Sequence, residues 1–187
     1  MPTDTKTALL DSAERATRTR GFDGFSYADL STDVGIRKAS IHHHFPTKAA
    51  LSIALMERYY NDLKAVCEEI DASHDTGGAR LSALINRYRT ALEGGKSLCL
   101  CVSFSTSCES LPGEVIAKIG HFREMIIAWA ETVFAAGQTD GSIAHVTDPA
   151  VEASAMLPLL EGAQLAARVN ENPALFDSAV RILTQRL

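Results

Sequence analysis

Apolar positions along this chain do not alternate with polar ones in runs closed by tight turns, so strand signals are nearly absent. Asp140-Gly141 is a hairpin-type dipeptide, but its flanks do not alternate. The apolar residues instead recur three and four apart, as in Leu84, Ile85, Tyr88 and Leu92, or Ile119, Phe122, Met125, Ile126, Trp129 and Phe134. Helix punctuation separates these stripes. A first helix is predicted from Thr5 to Arg20, ended by Gly21, with Arg18 and Arg20 in the last turn favouring the helix dipole. Ser26 can cap a short helix over Tyr27–Val34 that stops at Gly35. Another spans about Lys38–His44 and must finish near Phe45, because Pro46 follows. Thr47 opens a long helix to about Ile70, and Gly77-Gly78 and Gly94-Gly95 bracket the next. Asp148-Pro149 and Asn172-Pro173 place a capping residue before a proline and open the last two helices. The count is about nine, in an all-α fold.

Tyr27 to Phe45 therefore holds two short helices around a glycine-bearing turn, the pattern of a helix-turn-helix. Ala28, Leu30, Val34, Ile36, Ile41 and Phe45 supply its inward face. Lys38 and His42 are four apart, and Ala39 and His43 repeat that spacing on a neighbouring stripe. A helix enters a major groove only if its outer face is thin and can donate hydrogen bonds, and this stripe meets both conditions. The run His42-His43-His44 does not read as a chelator. Successive helical residues fan about 100° apart, whereas zinc wants ligands four apart or from another element.

Charge supports a local reading of DNA contact. The 187 residues carry a net charge of −5. Residues 1–50 hold seven Lys/Arg against six acids, and the remainder is acidic, so any polyanion must meet the N-terminal part. No run approaches the roughly 18 apolar residues of a membrane span. The start, MPTDTKTALLDS, lacks the features of a secretory signal, so a cytoplasmic location is expected.

The stretch GFDGFSYADLSTDVGIRKASIHHHFPTKAAL resembles the N-terminal domain of TetR-type repressors, a likeness carried by about residues 7–60. It implies a DNA-binding domain over residues 1–48 and a helical effector-binding and dimerisation domain over 49–187. It also implies roles. Ser26 and Tyr27 would touch phosphates, and Arg37, Lys38, Ala39, Ser40 and His43 would face the groove. His42 would replace the family's usual tyrosine as a phosphate donor, Lys48 would complete the phosphate clamp, and His44 would pack inside. Thr17 stands where the family usually has a large apolar core residue. The partners implied are double-stranded DNA bearing an inverted repeat, a second copy of the chain, and a small-molecule effector.

One recognition helix reads too few base pairs to be selective, so pairing is required. The segment Asp148–Asn170 is rich in small residues that let helices approach closely. By the same resemblance Ala155, Leu159, Gly162, Ala163 and Ala166, with Phe176, Val180 and Leu183 on the last helix, would form the dimer contact. Pro158 should kink the earlier of the two helices. The effector would sit among the central helices near Tyr88, Phe104, His121, Phe122, Met125 and Trp129, with Gln164, Arg89 and Arg123 among the available polar groups.

Of four cysteines, Cys99, Cys101 and Cys108 cluster in LCLCVSFSTSC, and Cys67 stands apart. If the cluster is helical, Cys101 and Cys108 share a face about 10 Å apart, too far for a disulfide unless the helix bends. Cys99-Leu100-Cys101-Val102 also resembles the start of helix six in repressors that sense electrophiles. Buried cysteines acting as small hydrophobes are the common alternative. The chain lacks a Glu-x-x-His motif and a glycine-rich phosphate loop, so neither an enzyme nor a resident cofactor is expected. The other class left open is a cytoplasmic thiol-based or metal-binding helical sensor with no operator.

Overall fold

The computed structural model describes residues 4–187, and among these it contains helices and no strand. The α-helices are α1 (Thr5–Arg20), α2 (Tyr27–Val34), α3 (Lys38–His44), α4 (Lys48–Ser73), α5 (Gly77–Thr90), α6 (Leu100–Ser105), α7 (Gly113–Asp140), α8 (Pro149–Val169), α9 (Ala174–Ala179) and α10 (Arg181–Thr184). Short 3-10 turns lie at Phe22–Gly24, Glu93–Gly95 and Cys108–Ser110. There is one α-helix more than the nine expected, because the last breaks at Val180, which serves at once as the C-cap of α9 and the N-cap of α10.

Two compact units emerge. Among the described residues, the first holds 4–60 and Leu100–Gly120; the second holds Asn61–Cys99 and His121–Leu187. Residue 48 lies within the first unit, in which α6 packs against α1.

In the first unit, α1 buries Leu9, Ala13, Ala16 and Thr17. Thr17 is completely enclosed, and its hydroxyl donates to the Ala13 carbonyl at 2.8 Å, so the polar atom in the core is satisfied within its own helix. Arg58 of α4 reaches both Asp11 and Glu14 at 2.6 Å and ties α4 to α1. Phe104 of α6 is fully buried against Phe22, with ring centroids 5.8 Å apart. Ala28, expected inward, is exposed: Tyr27 and Leu30, three apart, take the buried side of α2 and leave Ala28 about 100° away.

In the second unit, α5 starts where Thr76 Oγ1 accepts from the Ala79 N–H. Gly77 does more than punctuate. A Cβ there would sit 2.2 Å from the backbone nitrogen of Gly137, so the missing side chain of Gly77 sets how closely α5 approaches α7. α8 begins at the Asp148 cap, whose carboxylate accepts from the Ala150 and Val151 N–H groups, and it runs on through Pro158. Arg186 closes the C-terminal end: its guanidinium grips both carboxylate oxygens of Glu152 at 2.7 and 2.8 Å.

Candidate nucleic-acid interface

The reading head is built by local rules. At the start of α2, Ser26 Oγ accepts from the Asp29 N–H while Asp29 accepts from the Ser26 N–H at 2.7 Å, a reciprocal capping box. The Ser26 hydroxyl also donates to the Asp29 carboxylate at 2.7 Å, and this bond, followed by that from the Ser26 N–H, holds the Asp29 carboxyl below the usual carboxylate range. At the other end Gly35 takes the left-handed conformation, φ 73°, and returns its N–H to the Ser31 carbonyl at 3.0 Å. A side chain at that φ would be strained, so the turn between α2 and α3 depends on glycine.

The orientation of α3 follows from two inward residues. Ile41 is 0% and Phe45 3% exposed, and the opposite side of the helix faces out. Arg37, Lys38, Ala39, Ser40, His42 and His43 are all exposed. The face is short-chained at Ala39 and Ser40 and cationic at Arg37 and Lys38, which suits groove entry. His44 is half-buried, its ring edge-on to His43 at 5.5 Å.

Two expected phosphate donors are turned into the protein instead. Tyr27 is buried, and its hydroxyl donates to the Phe45 carbonyl at 2.8 Å. Burial pushes its phenol up to about 12. Lys48 sends its ammonium to the carbonyls of Phe22 and Phe25 and lies over both rings, 4.4 and 4.2 Å from their centroids. Burial lowers its pKa. Tyr27 ties α2 to the end of α3, and Lys48 ties the start of α4 to the turn between α1 and α2: a hydroxyl or ammonium beside a buried carbonyl gains more from that bond than from water. Only the tertiary structure brings those carbonyls within reach, so sequence spacing could not reveal them.

Residues 9–55 match the family model described as bacterial regulatory proteins, tetR family. Residues 77–183 match that of the tetracyclin repressor-like C-terminal domain. The chain belongs to the TetR family. Among curated relatives, the HTH-type transcriptional repressor NemR of Escherichia coli K12 is 24% identical over 182 residues, covering 95% of this chain and 90% of that protein. The HTH-type transcriptional repressor KstR2 of Rhodococcus jostii RHA1 is 29% identical over 92 residues, 49% of this chain and 45% of that protein. Among solved structures, a TetR-family regulator from Agrobacterium tumefaciens superimposes with a TM-score of 0.92 at 26% identity, covering 100% of this chain and 99% of its own. The reduced form of E. coli NemR gives 0.82 at 23% identity, covering 97% of this chain and 96% of its own.

The residues expected at the effector and dimer sites of this TetR-family chain are distributed differently from the expectation. Phe104 belongs to the first unit, whereas Tyr88, His121, Phe122, Met125 and Trp129 belong to the second. Tyr88 and Phe122 are core, Met125 and Trp129 are half-buried, and His121 faces solvent beside Glu124. The Trp129 indole N–H donates to Asp71 at 2.9 Å. Gln164 is fully enclosed, accepting from the Cys99 N–H at 2.9 Å and donating to the Tyr88 carbonyl at 3.2 Å. Arg89 pairs with Asp177, and Arg123 with Glu161.

Cys99 and Cys101 are buried and Cys108 is exposed. The shared helical face expected for Cys101 and Cys108 does not exist, because α6 ends at Ser105 and Cys108 begins a 3-10 turn. The intervening Ser-Thr-Ser run offers side-chain bonds that compete with the helix, as Thr106 does in donating to the Ser103 carbonyl at 2.9 Å.

Of the expected dimer residues, Ala155, Gly162 and Ala166 are exposed and Leu159 is half-buried, but Ala163, Phe176, Val180 and Leu183 are buried within the chain. The apolar face of α9 and α10 is consumed by packing within the chain, where α8 and α9 meet. What remains outward on α8 is a stripe at helical period: Val151, Ala155, Pro158, Gly162, Leu165, Ala166 and Val169. Val151 is 63% exposed and Val169 82%. The helical spacing of these residues in the sequence is itself a signal for the stripe.

Proposed function

We propose that the chain is a transcriptional repressor that binds an inverted-repeat operator as a homodimer in the cytoplasm and is released by a small-molecule effector. The observation that carries the reading is the exposed face of α3, with Arg37, Lys38, Ala39, Ser40 and His43 outward over a helix anchored by Ile41 and Phe45. Phosphates would be met by Ser26 and the start of α2, by Arg37 and by His42. Lys48 and Tyr27 would act by positioning the helices rather than by contact. Dimerisation would use the outward stripe of α8, from Val151 to Val169, joined by the exposed Leu175 and Ile182. Such apolar surface on a helix is costly to leave in water and fits a second copy with the same stripe.

Effector binding would act on the second unit and shift the population away from the operator-competent spacing of about 34–36 Å between recognition helices. The thiol-sensing variant of this reading falls on Cys108, the one cysteine of the four that is exposed. The test is selection of duplexes from a randomised library, followed by binding measurements over a salt series. An inverted repeat should emerge. Arg37→Ala should weaken binding about uniformly and reduce the salt slope by about one per protomer. Selection of no palindrome at low ionic strength rejects the proposal.

A further inference from the structure

Two successive carbonyls follow α3, and both are taken by side chains. Phe45 O accepts from the Tyr27 hydroxyl at 2.8 Å, and Pro46 O lies 3.2 Å from His42 Nδ1. A carbonyl can only accept, so in that bond Nδ1 carries the proton. The ring is held further by Tyr27, with centroids 5.0 Å apart and planes 59° apart. His42 is nonetheless exposed, so Nε2, on the far edge of the ring, is left for a ligand. A neutral imidazole has one N–H only. With that proton on Nδ1, Nε2 is a lone-pair acceptor and repels a phosphate oxygen; with a second proton it becomes a charged donor.

We infer that His42 is a protonation-gated operator contact, in which the Pro46 carbonyl fixes the tautomer and Nε2 grips a phosphate oxygen only as imidazolium. This rests on the operator reading above. The groups around the ring do not replace the proton. Tyr27, from α2, stays a neutral phenol throughout the range in which histidine titrates. Lys38, one turn earlier on α3, is a cation that adds to the attraction for phosphate but leaves the Nε2 lone pair as it is. His43, its neighbour, is a second imidazole on the exposed side. From the start of α4, Lys48 is engaged with the Phe22 and Phe25 carbonyls. Operator binding is therefore coupled to uptake of a proton at each His42.

The experiment has two arms on the full chain. In the first, the imidazole nitrogens of the free protein are read by 15N NMR at pH 8; His42 should show the Nδ1–H tautomer, and an Nε2–H tautomer overturns the inference. In the second, affinity for an inverted repeat selected from a randomised library at pH 6 is measured at pH 6 and pH 8 at fixed salt. Binding by the parent should weaken on going to pH 8 by about tenfold per protomer, about a hundredfold for the dimer, the scale of one charge-assisted hydrogen bond at each His42. His42→Gln should lose most of that dependence, and His43→Gln should keep it. A parental pH profile in His42→Gln, or an equal loss in both variants, overturns the gate. Failure to select any duplex rejects the operator reading, and the contact with it, while the tautomer remains measurable.

Discussion

Gln164 Oε1 accepts a hydrogen bond from the backbone N–H of Cys99 at 2.9 Å, and the glutamine is fully enclosed. The same amide donates to the Tyr88 carbonyl. One side chain on α8 thereby satisfies the end of α5 and the residue immediately before α6. Gln164→Leu keeps the volume but removes one hydrogen bond from a buried N–H and one from a buried carbonyl. The expected cost is about 1–3 kcal/mol, seen as a lower urea midpoint with an unchanged slope. A midpoint equal to the parent's would mean that those groups find water.

Close approach of α5 and α7 rests on Gly77. A methyl at Gly77 meets the Gly137 backbone, which cannot rotate aside. Gly77→Ala should destabilise by roughly 1–3 kcal/mol despite alanine's better helix propensity. Gly162→Ala, with open space around its Cβ position, should not destabilise the isolated protomer. Thermal unfolding of the two variants side by side separates packing from propensity.

The outward stripe of α8 and the buried face of α9 and α10 should respond differently to substitution. Val151→Glu with Val169→Glu should give a folded protein of half the mass in sedimentation, because both valines lie on the surface. Phe176→Ala should instead cost about 3–5 kcal/mol of stability, as expected for emptying a fully buried aromatic site. A dimer that survives the double glutamate change would place the interface elsewhere.

Alkaline pH should unfold this protein earlier than its helical content suggests. Burial, then the nearby Asp71 and Glu68, pushes the Cys67 thiol up from 9.0 to about 12. Burial likewise raises Tyr27 from 10.0 to about 12. Both groups ionise more readily in the unfolded chain, so their contribution is intact below pH 9 and is lost as pH climbs from 9 towards 12. The urea midpoint should fall progressively across that window. Cys67→Ala should move the onset towards the tyrosine's range.

Thiol access gives a further check. Cys108 is exposed, and Cys67, Cys99 and Cys101 are not. Under native conditions one equivalent of a maleimide reagent should react fast, with peptide mapping placing it on Cys108. The other three should wait for unfolding. Rapid labelling of Cys99 or Cys101 would contradict the burial.

The ends of the first three helices and the glycine between α2 and α3 were legible in the sequence, because a cap or a left-handed turn is set by residues one to four positions away. So was the exposed face of α3, since its period is that of the helix itself. The destinations of polar side chains were not. Lys48 and Tyr27 look like outward donors in the sequence, and Gln164 like one polar group among several; each is committed to a backbone carbonyl or N–H many residues distant. The same holds for Phe176, Val180 and Leu183, whose apolar stripe reads equally well as an interface or as core. An amphipathic helix announces that it has an inner face, but the neighbour that covers that face is chosen by where the rest of the chain packs.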